Sequence, residues 1–180
     1  YFPQVAPELP QITNYLRGAL AAFLLFLSVT IHELSHSFVA KKYKIPITSI
    51  TLFIFGGVAQ MKKEPPSPKG EIYMALAGPF SSYVLGLIFF IFYKLLGEYH
   101  GLKAIAYYLL QINFILGTFN LIPGFPMDGG RVLRAFLWQK SGDYLSATRK
   151  ASKAGEHIAL FFIILGVISL FTGYLGSVWL

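Results

Sequence analysis

The chain has 180 residues, 55% of them hydrophobic and only 13% charged, with a mean hydropathy of +0.59. That apolar fraction exceeds the range of soluble domains, and several runs approach the length of a bilayer crossing, so a soluble enzyme is excluded. The formal charge of +7 could suggest a nucleic-acid partner, but the basic residues are distributed as a membrane topology requires, and no nucleic acid is expected. With no cysteine there is no disulfide and no thiolate metal ligand. The expected organisation is one transmembrane domain over residues 1–180, a fragment, since its first residue is Tyr1, with a signal peptide or an N-terminal helix missing.

Tyr1 to Asn14 carries Pro3, Pro7 and Pro10 and no sustained apolar period, so an extended segment on the outer side is expected there. A spanning helix follows from about Tyr15 to Lys42. Its apolar run, Ala19 to Ile31, leads directly into His32-Glu33-Leu34-Ser35-His36. Positions i and i+4 of a helix are rotated only about 40° apart. Both imidazoles therefore lean the same way and can hold one metal ion, with a carboxylate beside the first. On an exposed soluble helix this pattern also arises by chance. In a lipid-spanning segment two histidines and a glutamate are costly and read as functional. Zinc suits imidazole and carboxylate donors, as do iron and manganese.

Ile47 to Met61 is rich in β-branched and aromatic residues, and Gly56-Gly57 offers a tight turn. The run is too short to span as a helix and is basic at both ends. A β-hairpin that dips into the membrane and returns is expected, either buried in protein or lining a wet cavity. Glu64 to Gly70 reads as a polar connector. Ile72 to Leu96 reads as a second span, with small residues Ala75, Ala77, Gly78, Ser81 and Ser82 near its inner end and Pro79 as a potential kink. Ala104 to Ile122 spans inward and stops at Pro123 and Pro126. Arg131 to Ala154 is expected as helices on the cytoplasmic surface, and Ile158 to Leu180 as the last span. The fold class is thus all-α and polytopic, with spanning helices around a metal site and the short hairpin.

Lys41, Lys42, Lys44, Lys62, Lys63 and Lys69 follow the first span, and Arg131, Arg134, Lys140, Arg149, Lys150 and Lys153 lie between the third and the last. Only Arg17, Lys94 and Lys103 fall on the other side. The positive-inside rule makes the richer side the cytoplasm, and the His32–His36 end of the first span lies toward it.

A catalytic zinc site commonly has three protein ligands and an open position. Of the eight acids, Glu8 and Glu98 are outer, Glu64 and Glu71 flank the connector, and Asp143 and Glu156 lie in the basic region. Asp128 follows a span at the depth of the two histidines, and Gly129-Gly130 give the backbone freedom to aim it. From spacing alone, Asp128 is equally a ligand or the cap of a helix beginning near Gly130.

The His32-Glu33-Leu34-Ser35-His36 helix, Ala77-Gly78-Pro79, and Asn120-Leu121-Ile122-Pro123 through Pro126-Met127-Asp128-Gly129-Gly130-Arg131 together resemble the site-2 protease family of intramembrane zinc metalloproteases. Two separated motifs in the right order carry the resemblance, which runs from about Ala19 to the last helix. It implies one Zn2+ held by His32, His36 and Asp128, with Glu33 as catalytic base and Asn120 positioning substrate or stabilising the oxyanion. It also implies that the substrates are transmembrane segments of proteins within the lipid bilayer. Helical carbonyls are shielded, so a cleaved segment must unwind. Residues Ile54, Phe55, Gly56, Gly57 and Val58 of the hairpin offer an edge on which an extended substrate can pair. A membrane metal transporter would explain the histidines and the acid but not Glu33 beside His32. A catalytically silent binder of membrane proteins is the other alternative.

Overall fold

In an apolar environment a backbone satisfies its own amides only as helix or closed sheet, and this chain is built almost wholly of helices. The computed structural model describes residues 11–45, 47–53, 56–61, 65–97 and 99–172. Five helices run α1 Gln11–Lys42, α2 Pro68–Leu95, α3 His100–Asn120, α4 Asp128–Ser141 and α5 Tyr144–Thr172, with strands β1 Ile47–Phe53 and β2 Gly56–Met61 between α1 and α2. α1, α2, α3 and α5 are long and apolar enough to cross a membrane. The proline-rich Tyr1–Pro10 part of the expected outer segment lies outside the described residues. The remainder, Gln11 to Asn14, is already the first turn of α1.

Helix ends follow local chemistry. α1 closes on Lys41 and Lys42, cations that suit the negative end of its dipole, and the chain then turns through Lys44 at φ 56°. α2 begins four residues earlier than its apolar run suggests. Ser67 caps it by accepting from Gly70 N at 3.1 Å, and Pro68 fills the first position, where no amide donor is needed. Hydropathy marks where a helix enters lipid, whereas the cap decides where it starts.

Between α4 and α5 the structure departs from the expected surface helices and separate last span. α4 stops at Gly142, which is left-handed at φ 71°. Asp143 Oδ1 then accepts from Ser146 N at 3.1 Å to start a single helix, α5. That helix carries Arg149, Lys150 and Lys153 in its first turns and runs on unbroken into the apolar stretch. A change from charged to apolar side chains does not break a helical ladder. The end of the expected span beyond residue 172 lies outside the described residues.

β1 and β2 pair antiparallel, with Thr51 opposite Val58, Leu52 opposite Gly57 and Phe53 opposite Gly56. Gly56 and Gly57 are therefore strand residues, not the turn. Ile54 and Phe55 of the expected substrate edge lie outside the described residues. The pair of strands packs beside α1.

α2 is the hub, with α1, α3 and α4 all packed on it. Its buried residues include Glu71, Met74, Ala75, Gly78, Ser82 and Gly86, spacings of three and four that make one continuous face. A small apolar core of Ala21, Ile105 and Leu109 joins α1 to α3, and another of Ala40, Ile45 and Met74 joins α1 to α2. The lipid-facing sides are rich in exposed large apolar residues, Phe161, Phe162 and Ile163 on α5 among them. α5 docks through two glycines. A Cβ on Gly124 would meet Gly155 backbone, and one on Gly155 would meet the backbone of Phe125. Gly155→Val should accordingly cost about 1–3 kcal/mol, as overpacking typically does. Thermal unfolding in detergent micelles measures it, and an unchanged midpoint would count against this contact.

Candidate metal centre

His32, His36 and Asp128 converge. One ligand atom from each lies within 4.8 Å of the others, and all three residues are buried. Asp128 Oδ2 stands 3.3 Å from His32 Nε2 and 3.1 Å from His36 Nε2. The two rings meet edge to face at 4.9 Å between centroids.

Their orientation is fixed by α2. His36 Nδ1 is 2.7 Å from the carbonyl of Met74. A carbonyl only accepts, so Nδ1 carries the hydrogen and Nε2 presents a lone pair toward Asp128. His32 Nδ1 is 2.8 Å from Ser82 Oγ. Ring nitrogens held from behind in this way are what a metal site needs, because the outer contact sets tautomer and aim.

Gly78 lies beneath both rings. A Cβ added there would collide with Nε2 of His36 and of His32. The space where the ligand atoms converge is therefore walled by a backbone with no side chain. The donor set fits a cation too: a histidine lone pair and a carboxylate oxygen facing each other at 3.1 Å need a positive charge between them. Two imidazoles and a carboxylate are a zinc-type set with a position left open.

Asp128 is the first residue of α4. The residue flanking that helix, Met127, makes no side-chain cap bond. Its carboxylate reaches the histidines, so the cap reading does not hold. Gly129 and Gly130 serve a different end from the freedom expected of them. Both are helical, and a Cβ on either would strike the backbone of Leu121, Ile122, Gly124 or Phe125. Their role is close approach, which brings the start of α4 against the end of α3.

Glu33 is buried, 8% exposed, about 100° around α1 from His32. Asn120 ends α3, half-buried, and gives one amide hydrogen to Leu116 O at 2.9 Å, which leaves its second hydrogen uncommitted by that bond. Gly56, Gly57 and Val58 lie in β2, away from these ligands in sequence. An open, mostly apolar cleft of about 790 Å³ runs between α1 and α2, with Ser35 and Ala77, the chain neighbours of His36 and Gly78, in its wall.

The profile of peptidase family M50 matches residues 20–99 and 97–166. This chain belongs to peptidase family M50. A zinc metalloprotease of Methanocaldococcus jannaschii is 42% identical over 159 residues, 88% of this chain and 46% of that relative. Stage IV sporulation protein FB of Bacillus subtilis is 30% identical over 178 residues, 94% of this chain and 56% of that protein. The solved structure of a site-2 protease from Methanocaldococcus jannaschii matches with a TM-score of 0.68 at 42% identity, covering 82% of this chain and 67% of that one. The chain spans about half the length of the curated relatives it matches. As an M50 member with four spanning helices it is an integral, multi-pass membrane protein of a zinc metalloprotease family.

Several residues of this M50 site escape sequence reading. The Met74 carbonyl carries no side-chain signal at all. Ser82 counted only as a small residue, although its place four after Gly78 puts it on the same face. Glu71 counted as flanking the connector, yet it is fully buried. Gly78, by contrast, stands in the Ala77-Gly78-Pro79 motif, and the structure gives it the most exacting place. Gly78→Ala should drive a methyl group between the imidazoles and lower zinc affinity at least 100-fold. Metal analysis of the purified protein reads this; full zinc occupancy in the alanine variant would contradict the geometry.

Proposed function

We propose that this chain is the membrane core of a zinc-dependent intramembrane endopeptidase, a single domain over residues 1–180, that cuts peptide bonds in or near transmembrane segments of other proteins. The observation that carries the reading is the convergence of His32, His36 and Asp128 beside buried Glu33 on one helix. In this reading the three converging residues are the zinc ligands. When bound, the zinc supplies a Lewis acid that polarises the scissile carbonyl and brings the pKa of water toward neutrality.

The chain's own residues do the rest. Glu33 is offset around α1 from the ligands and free of the metal role, so its carboxylate takes the proton of the attacking water. The hydroxide oxygen bonds to the carbonyl carbon, the C–N bond breaks, and Glu33 returns the proton to the leaving amine. Asn120, with an amide hydrogen to give, donates to the developing oxyanion. Ser82 and Met74 hold the imidazoles in place throughout.

The substrate presents itself extended. Pairing with the edge of β2 at Gly56, Gly57 and Val58 uses main-chain hydrogen bonds and demands little of sequence, so helix-weakening residues in the substrate matter more than side-chain identity. The apolar cleft between α1 and α2 suits an aliphatic segment. The hairpin dips into the membrane beside α1, and the basic ends of α1 and α5 support an active site opening toward the cytoplasm.

Two experiments test this. Glu33→Gln should lower cleavage of a single-span test substrate by about 10²–10⁴-fold while zinc content stays unchanged. Cutting by both proteins alike would point to a contaminant and remove the central claim. Val58→Pro should impair cleavage with zinc retained; normal turnover in that variant removes the strand-pairing role.

A further inference from the structure

Two of the three converging side chains are held from behind by α2, His32 through Ser82 and His36 through Met74. Among the described residues Asp128 has no comparable partner of its own. Its contacts are the histidines themselves, and what aims it must act through α4. α4 meets α2 at one buried charge pair. Arg134, six residues after Asp128, directs Nε at Glu71 Oε1 at 2.9 Å, and its Nη2 lies on the same oxygen. Glu71 is fully buried and Arg134 7% exposed. The guanidinium carbon lies over two rings, 4.9 Å from the centroid of Phe125 and 4.9 Å from that of Tyr144. Phe125 belongs to the segment that leads into α4, and Tyr144 begins α5. One side chain thus ties α4 to α2, to the loop before it and to the helix after it.

Stability alone is a poor reason for this pair. Burying two ions is expensive, and an apolar pair of similar volume is commonly as stable or more so. The pairing is also incomplete, since Glu71 Oε2 has no hydrogen-bond partner among the described residues. What the pair offers is direction: a planar fork held on one oxygen and stacked against two aromatic rings allows little rotation or slide. Glu71 lies on the same face of α2 as Met74, Gly78 and Ser82. We propose that Glu71 and Arg134 are positioning residues that lock α4 in register with α2 and so aim the Asp128 carboxylate at the site of His32 and His36. This rests on the reading of those three residues as the metal ligands.

The full chain, purified in detergent, is titrated with Zn2+ against a chromogenic chelator and with Co2+ followed by its visible absorption. Arg134→Lys keeps the charge and loses the fork. The double variant Glu71→Met with Arg134→Met replaces the pair by apolar volume. Both should weaken zinc about 10–100-fold, the range typical of groups that support a ligand from behind, and both should alter the cobalt bands. The double variant should melt, metal-free, no lower than the unmodified chain. Unmodified zinc affinity and cobalt spectrum in Arg134→Lys would overturn the clamp alone, whether or not the double variant folds. Failure of the unmodified chain to bind zinc, or equal binding by Asp128→Ala, would overturn the ligand assignment beneath it.

Discussion

The site depends on how closely α1 can approach α2 at Gly78. With any side chain at that position the two imidazoles would be pushed off the helix that orients them. Among lipid tails there is little hydrophobic drive to bring helices together, so packing rests on small residues and polar contacts. Here one surface provides both. Gly78 allows the contact, and Met74 and Ser82, one turn to either side, supply hydrogen-bond partners for His36 and His32. Glu71 continues the same face toward α4. A single stripe of α2 thereby sets the position of side chains from two other helices.

The electrostatics follow from that arrangement. A buried polar group without a partner costs free energy, and more so when the surroundings exclude water. Each histidine is satisfied at Nδ1 by protein, which leaves both Nε2 atoms facing one carboxylate oxygen. The anion sits at the N-terminus of α4, where the helix dipole favours negative charge. A divalent cation held by two imidazoles and one carboxylate would leave a net positive centre, suited to hold an electron-rich oxygen. Elsewhere in the bundle the same rule operates on a smaller scale. Asn113 is fully buried between α1 and α3, and its amide reaches Ser28 Oγ at 3.3 Å and Leu109 O at 2.8 Å.

How much of this was legible in the sequence depends on what kind of signal each feature leaves. Spanning helices announce themselves by length and apolar content, and the histidine pair by its spacing in such a helix. Asp128 was visible as an acid at the right depth, but spacing could not separate a ligand from a cap, because both occupy the start of a helix. The structure places Asp128 inside the first turn of α4 and against two histidines 92 and 96 residues earlier. Glu71 was misplaced because a charged residue beside a polar connector looks solvated until its partner 63 residues on is known. The continuous α5 was missed because hydropathy changes at Ile158 while the backbone does not. The Met74 carbonyl was invisible in principle, since every residue has one.

The delivery of Asp128 bears on how water reaches a site at this depth. His36 lies six residues before Lys42 and His32 ten before it, about 9 and 15 Å along the helix from the basic end. A hydrocarbon core is about 30 Å thick, so the site lies well within it. Asp128 arrives there through residues 121–127, which are turns rather than helix. Irregular backbone at such a depth is tolerated only when buried in protein or lining a wet cavity. Part of this segment is protein-covered: Gly124 is buried against Gly155 of α5. Leu121, Pro123 and Pro126 are exposed along the same stretch. In the proposed protease reading, this partly exposed α3–α4 connection is the side from which water would enter. The irregular backbone that brings Asp128 to two histidines on a straight helix would then also give the proposed hydrolytic centre its reagent.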